Sequence, residues 1–580
     1  MAPKQKTPKK PRAAREAEKQ ALQLPPATIA KNVGRAAALL LLAGFASPIS
    51  QLNLSPVYGS IPASLHHQRA MTITAVAALV GRGSLKRYIP ASISEYIAVV
   101  AYWTPVIQFF LLQYSGKLGI EYGPLLVESL TYFPLLFLSV YAAGDLLEFV
   151  NLSQLNVPAS LREVIVPVAS YFTVSTVSKI AGATVPSVIG NHILATRIGF
   201  QMLIASASAF LIPSRVILLA FPAILHTLWA NPHYSSESAF QKANTTLVST
   251  QNFTMLARQE SVTGYVSVLE NYADNAFRIL RCDHSLLGGE WLVTPAAYER
   301  GQRQRETIFS VFINLEAVRL IKPIVAQTDA ISDSDKSALV IGLGIGTAPN
   351  AMISYGIDTT IVELDPVVHH YASKYFNLSP NHTAVIDNAV VYVDSKARSS
   401  PNSFDYIIHD VFTGGAEPVY LFTTEFLQGL HTLLKDDGAV AINYAGDIAL
   451  PSTRLVLDTI HAVFPACRLY RDSPQADDWQ PGDPDFINMV VFCVKNDHGK
   501  GKKAIRFRQA DDADFKGSLA RRNFLQPKPD MEIKYESEKG AQVMGKADVG
   551  ELEKWHKEGA VSHWRIMRGC LLYTSPSPRD

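Results

Sequence analysis

Charge is spread along this chain so unevenly that one long block of it cannot fold as an ordinary water-soluble domain. Residues 36–230 hold nine Lys/Arg and six Asp/Glu, which is 15 charges in 195 residues. Soluble domains carry about 25% charged residues. The first 35 residues hold nine basic and two acidic side chains, a local charge of +7. Of the 104 charged residues in the 580-residue chain, 78 therefore fall in the last 350, which is an ordinary density. The net charge of +2 is a +7 start balanced by a remainder of −5. With 48% hydrophobic residues, a fibrous or wholly disordered chain is excluded.

The apolar block reads as a multi-pass α-helical membrane domain. Apolar stretches run at 36–53, 70–81, 92–114, 123–147, 161–181, 193–212 and 214–230. A span takes about 20 residues, so six or seven crossings are expected. The short stretch at 70–81 is open to a re-entrant reading. Arg82, Lys86 and Arg87 place the loop after it on the side of the basic start. Residues 1–35 are expected to form a disordered cytoplasmic tail rather than a nucleic-acid contact. An even number of crossings returns the following domain to the cytoplasm, and the sequons at Asn151, Asn244 and Asn252 then carry no sugar. Glu128, Asp145 and Glu148 are either pathway groups or, for the last two, residues at a span end. Four scattered cysteines (Cys282, Cys467, Cys493, Cys570) form neither a metal spacing nor a disulfide framework, which fits a reducing compartment.

From about residue 250 the pattern changes. Gly264–Leu269 and Phe277–Cys282 read as short antiparallel strands, and a helix is expected near 306–322. An α/β alternation follows. Ala338–Ile341 is a buried strand that opens into Gly342-Leu-Gly344-Ile-Gly346. Three later strands each end on an acid: Thr359–Glu363, Val390–Asp394 and Phe404–Asp410. Gly438–Asn443 and Phe486–Val494 complete the set. Such an alternation implies a doubly wound, mostly parallel sheet, with ligands at the carboxyl ends of its strands. Glycines admit a ligand close to the backbone. Glu363, 17 residues past Gly346, is placed to accept both hydroxyls of a ribose. Asp394 would sit by the adenine, and Asp410 would face the reacting centre. A dinucleotide fold needs a third glycine where Thr347 stands, and no G-K-[ST] follows for a P-loop.

These residues resemble the spermidine synthase family, a branch of the class I S-adenosylmethionine-dependent methyltransferase fold, over roughly 255–495. The resemblance implies a small β-domain ahead of a seven-stranded Rossmann-like sheet. It implies S-adenosylmethionine, or its decarboxylated form, as donor substrate. It also implies Gly342, Gly344, Gly346, Glu363 and Asp394 as donor-binding residues and Asp410 as catalytic. The segment from Glu417 resembles the one after the family's gate loop, and Gly414-Gly415 are a candidate lid hinge.

Several family groups that meet a polyamine's ammoniums are absent. Ile345 and Thr413 replace aspartates, Leu287 replaces a glutamine, and Phe309, Ser310 and Val311 replace a Tyr-His-Glu cluster. Burying ammonium groups needs such partners. The nucleoside half therefore looks retained and the polyamine half lost, so methyl transfer to an amine is favoured over aminopropyl transfer. A non-catalytic nucleoside-binding scaffold or sensor, and a transporter with a regulatory domain, are the alternatives from other classes.

The expected organisation is a tail (1–35), a transmembrane domain (36–230), a β-rich domain with its linking helix (250–325), the donor-binding domain (330–495) and a polar, loosely ordered tail (496–580). Glu551–Arg568 reads as a short helix, and Leu571–Asp580 resembles translated adapter sequence. The expected partners are a small-molecule or amine acceptor and a lipid bilayer, with no nucleic acid and no metal. A homodimer is compatible with the sequence.

Overall fold

A computed structural model describes residues 25–88, 91–148, 150, 158–190, 192–272, 275–283, 285–322, 332–411, 418–475, 479–480, 485–538 and 540–550, with 552, 561 and 564. The described residues divide into two compact units, which part between Lys242 and Ala243.

The first unit is helical. Its main helices are Pro26–Tyr58, His67–Val80, Ile97–Leu112, Gly123–Leu130, Tyr132–Leu147, Ala159–Val188 and Arg197–Leu211. Helix begins at Pro26, so the expected disordered tail gives way to helix about ten residues early; Pro at the first helical position is pre-set for that role. Among the described residues three helices are long and apolar enough to cross a membrane: Pro26–Tyr58, Ser92–Leu112 and Val164–Val188. A fourth candidate is the pair Gly123–Leu130 and Tyr132–Leu147, bent by 43°. Six or seven crossings are not reached, because His67–Val80 has 14 residues, Arg197–Leu211 has 15, and the 214–230 stretch breaks into short turns of helix. Apolar length in sequence is not helical length.

A buried polar cluster inside this unit is paired. The imidazole of His67 lies 2.7 Å from Glu128 Oε1 and 2.7 Å from Ser47 Oγ, and Ser50 Oγ donates to Glu128 over 2.7 Å. Asp145 and Glu148 face Arg82 and Lys86, as expected of groups at a helix end.

The second unit has two sheets. The smaller is antiparallel, in the order β1 (Phe253–Glu260), β2 (Tyr265–Asn271), β3 (Phe277–Cys282), β4 (Ser285–Trp291), β5 (Glu306–Thr307). The helix expected near 306–322 is shortened to Val311–Glu316 and a 3-10 turn, Ala317–Leu320, because β5 takes its start. The larger sheet contains β6 (Ser337–Ile341), β7 (Asp358–Glu363), β8 (Thr383–Ile386), β9 (Phe404–His409), β10 (Leu434–Gly446), β11 (Ala466–Arg471), β12 (Ile487–Val494) and β13 (Glu532–Ile533). Its order is β13-β11-β12-β10-β9-β6-β7-β8. Strands β8, β7, β6, β9 and β10 are parallel, and β12 is antiparallel to both neighbours. The expected seven strands are present, with β13 as an eighth on the edge. Parallel strands covered on both faces read as continuous apolar runs, as β6 does in Ala338–Ile341.

The order reverses between β6 and β9, and that switch point collects the carboxyl ends of the central strands. The small sheet packs on the same region: Val266, Val268 and Leu280 share a buried cluster with Leu343, Ile345, Ile361 and Phe376.

Two expectations from the cysteines and the polar tail are corrected. Cys467 and Cys493 stand directly opposite each other on β11 and β12, with Cα atoms 4.2 Å apart, and form a disulfide. Sequence spacing could not reveal this, because strand register brought them together. Residues 496–550 are folded onto the α/β core rather than loosely ordered. Ile505 and Leu525 are buried, and several of the charges pair with groups of the core. Asp514 accepts from Arg508 over 2.7 Å and also from Arg319, while Arg521 Nε meets Glu316 over 2.7 Å. Arg319 further stacks 3.6 Å over the ring of Tyr355. Most of the helix expected over 551–568 lies outside the described residues.

The arginines hold the Asp514 carboxyl well below the usual carboxylate range. A depressed pKa adds stability at neutral pH that is lost as pH falls through the acid range. Asp514→Ala is expected to lower stability by about 3–5 kcal/mol, since it strands buried cations. Thermal melts at pH 7 and pH 3 check this: the gap between wild type and variant should narrow at pH 3.

Candidate functional site

Gly342, Gly344 and Gly346 all have left-handed backbone, with φ of 84°, 54° and 88°. Two of them also leave no room for a side chain. A Cβ on Gly342 would lie 1.9 Å from the carbonyl oxygen of Asp410. A Cβ on Gly344 would lie 2.7 Å from the carbonyl oxygen of Leu287, on the small sheet. The glycines are thus demanded first by the protein's own backbone. They hold the turn after β6 against Asp410, just past β9, and against Leu287 of β4.

Glu363 ends β7 and is buried. Its Oε2 accepts from the Leu343 amide over 3.0 Å, and its Oε1 accepts from the Asp365 amide over 2.8 Å. The carboxylate therefore ties the glycine turn to the next strand. Burial pushes its pKa up to about 7 against the pull of these amides. A carboxylate accepts about four hydrogen bonds, so lone pairs remain for two vicinal hydroxyls. That unmet capacity in a buried group fits a ribose.

Asp410 follows β9, and its amide donates to Ile341 O over 2.8 Å. Part of its surface stays open while protein encloses the rest, and desolvation raises its pKa to about 6. Asn443 lies beside it, because β10 runs parallel to β9 with Ile442 opposite His409. Asn443 Nδ2 donates to Asp410 Oδ1 over 2.8 Å, which opposes the rise. Asn443 Oδ1 is buried with no hydrogen-bond partner. A buried orphan acceptor costs free energy unless something supplies a donor. Its position beside a candidate base points to the substrate as that donor. Sequence reasoning quoted Asn443 only as a strand residue; its offset from Asp410 depends on register.

Asp394 is corrected. Residues Ala389–Ser399 form a helix, not a third acid-ended strand, and Asp394 is exposed, paired with Arg398 over 2.7 Å. The helix is started by Asn388, whose side chain accepts from the Val390 amide. The Val-Val-Tyr-Val run misled because β-branched residues favour strands only weakly against tertiary context. The true strand is β8, and the acid after it is Asp387, whose amide donates to Glu363 O over 3.1 Å. The structure thus brings the three glycines, Glu363 and Asp410 together and leaves Asp394 out.

Three neighbouring groups are structural. Asp365 is fully buried, caps the helix Pro366–Tyr375 and accepts from Ser261 over 2.6 Å and from Thr263. His409 is fully buried between the rings of Phe422 and Phe426, and burial lowers its pKa to about 3, keeping it neutral. Ile345 is buried and faces Gly288, where a Cβ would come within 3.1 Å of it. Thr413, Gly414, Gly415 and Glu417 lie outside the described residues. Among the described residues no group of three or more His, Cys, Asp or Glu is placed to hold a metal ion.

Residues 321–470 match the spermine/spermidine synthase domain family. An N-terminal histidine N-methyltransferase of Emericella nidulans is 43% identical over 550 residues, spanning 92% of this chain and 95% of that protein. A polyamine aminopropyltransferase of Vibrio vulnificus is 33% identical over 132 residues, spanning 22% of this chain and 44% of that protein. A probable spermidine synthase structure from Corynebacterium glutamicum aligns at 18% identity and a TM-score of 0.36, covering 50% of this chain and 95% of that one.

Gly342→Ala is expected to cost about 3 kcal/mol or more, because neither the backbone angle nor the Asp410 carbonyl can yield cheaply. Thermal unfolding checks it; a melt within a degree or so of wild type would show that the close approach is not maintained.

Proposed function

The chain belongs to the family of the Emericella nidulans N-terminal histidine N-methyltransferase, and from that premise we propose that it methylates a nitrogen of an N-terminal histidine. It is an enzyme, an S-adenosylmethionine-dependent transferase. The residues present fit the donor: the glycine turn 342–346, the spare capacity of Glu363 and the carboxylate of Asp387, whose Oδ1 accepts from the Asn388 amide over 2.7 Å, line one edge of the sheet. When bound, S-adenosylmethionine supplies a methyl carbon that its sulfonium already makes electrophilic. The protein's task is orientation and proton handling.

The Asp410–Asn443 pair carries the proposal. Imidazole and α-amino groups have pKa values of about 6.5 and 7.7–8.0, so an N-terminal histidine reaches the site largely neutral near pH 8. A polyamine, with amines near 10, arrives as a cation and needs carboxylate partners. Buried Ile345 and the apolar Leu287 stand where such partners would be, which suits a neutral acceptor. Asn443 Oδ1 would accept an N–H of the acceptor and orient it. Asp410, with its pKa near 6, would take the proton released as the nitrogen is methylated.

The test pairs S-adenosylmethionine with peptides that begin with His or Ala, read by mass spectrometry. Methylation of the His peptide alone is expected. Modification of a polyamine by the decarboxylated donor instead would overturn the reading. Asp410→Asn should cut turnover about 10²–10⁴-fold. Wild-type kcat should rise with pH through about 6 as Asp410 ionises. Asn443→Leu should lower kcat and move that limb upward, since the amide no longer opposes the desolvation; an unmoved limb would leave Asn443 a packing residue. A carboxyl whose folded pKa is raised gives stability below its unfolded value of 3.8 that is lost as pH rises through about 6. Asp410→Asn should therefore raise the melting temperature at pH 8 and change it little at pH 3.

We also propose that the first unit anchors the protein in a bilayer. Three long apolar helices support this. The full chain should stay with membranes in alkaline carbonate and leave them with detergent.

A further inference from the structure

We infer that the second unit folds in an oxidising, glycosylating compartment, where Cys467 and Cys493 are joined and Asn252 and the loop holding Asn381 carry N-linked sugar. The inference goes beyond the methyl-transfer reading and does not depend on it.

The disulfide comes first. Cys467 and Cys493 are opposite in register on β11 and β12 and are 1% and 0% exposed. Disulfides in reducing compartments are mainly transient, catalytic or redox-sensing, and such bonds need access for an attacking thiolate. This one is sealed in the core with Leu469, Val491 and Phe464. It is a structural bond, and structural bonds mark oxidising compartments. Cys282, which forms no disulfide, is buried away from it in the cluster of β2 and β3, so it offers no competing disulfide. Closing the bond removes two protons and two electrons from the thiols. A dithiol–disulfide exchange protein accepts both electrons, its own disulfide being reduced as the Cys467–Cys493 bond forms.

The compartment then gives meaning to the sequons. In Asn252-Phe-Thr254, Asn252 lies just before β1, exposed and in a left-handed turn at φ 58°. Asn381-His-Thr383 runs from the loop after the helix Pro366–Tyr375 into the first residue of β8, and Asn381 is exposed. Asn377-Leu-Ser379 shares that loop, four residues away, so one bulky sugar would occupy the segment. Asn244 differs: its Oδ1 is committed to the Met255 amide at 2.8 Å, which holds the carboxamide in place. Surface position in a secreted or lumenal chain is what N-x-[ST] requires. In the transfer the asparagine amide nitrogen displaces the diphosphate of a lipid-linked oligosaccharide. A C–N bond replaces the glycosyl C–O bond, and the amide loses one proton as the lipid diphosphate leaves.

The test uses the full chain produced in a eukaryotic host. The protein is unfolded in the presence of an alkylating agent, without reduction, and mapped by mass spectrometry, and a second sample is treated with an endoglycosidase. A linked Cys467–Cys493 peptide is expected, together with a mobility shift on deglycosylation. That shift should shrink by one step in Asn252→Gln and by another when Asn377→Gln and Asn381→Gln are combined. Alkylated Cys467 and Cys493 in the unfolded, unreduced sample, or no shift on deglycosylation, would overturn the inference. Either result would leave the methyl-transfer assay unaffected, so the two readings fail separately.

Discussion

The carbonyl oxygen of Asp410 occupies the space where a side chain at residue 342 would begin. Much of the catalytic unit is arranged around that close approach. It requires glycine after β6, it brings the end of β9 against the glycine turn, and it sets the Asp410 carboxyl at the mouth of the switch point. Glu363 then ties the same turn to β7 through the Leu343 amide. Leu287 closes it from the small sheet. Three strands and a second sheet are thus held to one five-residue turn by backbone contacts that few substitutions could preserve.

Burial does the chemical work on this frame. Glu363 and Asp410 are both raised towards neutral pH by desolvation, and each is moderated by a hydrogen bond: backbone amides for Glu363, the Asn443 amide for Asp410. A carboxyl near pKa 6 is a poor anchor for a permanent cation. It is well matched to taking a proton from a nitrogen of similar basicity. The apolar surroundings of Ile345 act in the same direction, since they leave no counter-charge for an ammonium.

Legibility in the sequence followed the range of the interactions. The parallel strands Ala338–Ile341 and Phe404–His409 were readable, because burial on both faces makes an unbroken apolar run. Glu363 and Asp410 were readable because each ends such a run. Val390–Asp394 was misread: four residues with strand preference lie in a helix started by Asn388, and the strand that precedes the acid, Thr383–Ile386, is only four residues long and mostly exposed. The charged stretch after residue 496 was misread for a related reason. Its arginines and carboxylates look solvated one at a time, and only their partners more than 150 residues away, such as Arg319 for Asp514, make them core.

By itself the sequence determined the division into an apolar and a soluble part, the α/β class of the latter, and the glycine turn with two of its acids. These follow from local composition and period, which any window of the chain contains. Only the tertiary structure decided that Asn443 faces Asp410, that Asp387 rather than Asp394 ends the third parallel strand, and that Cys467 meets Cys493. Each of these is a matter of register between strands distant in the chain, and register is set by the packing of the whole sheet rather than by the residues that it brings together.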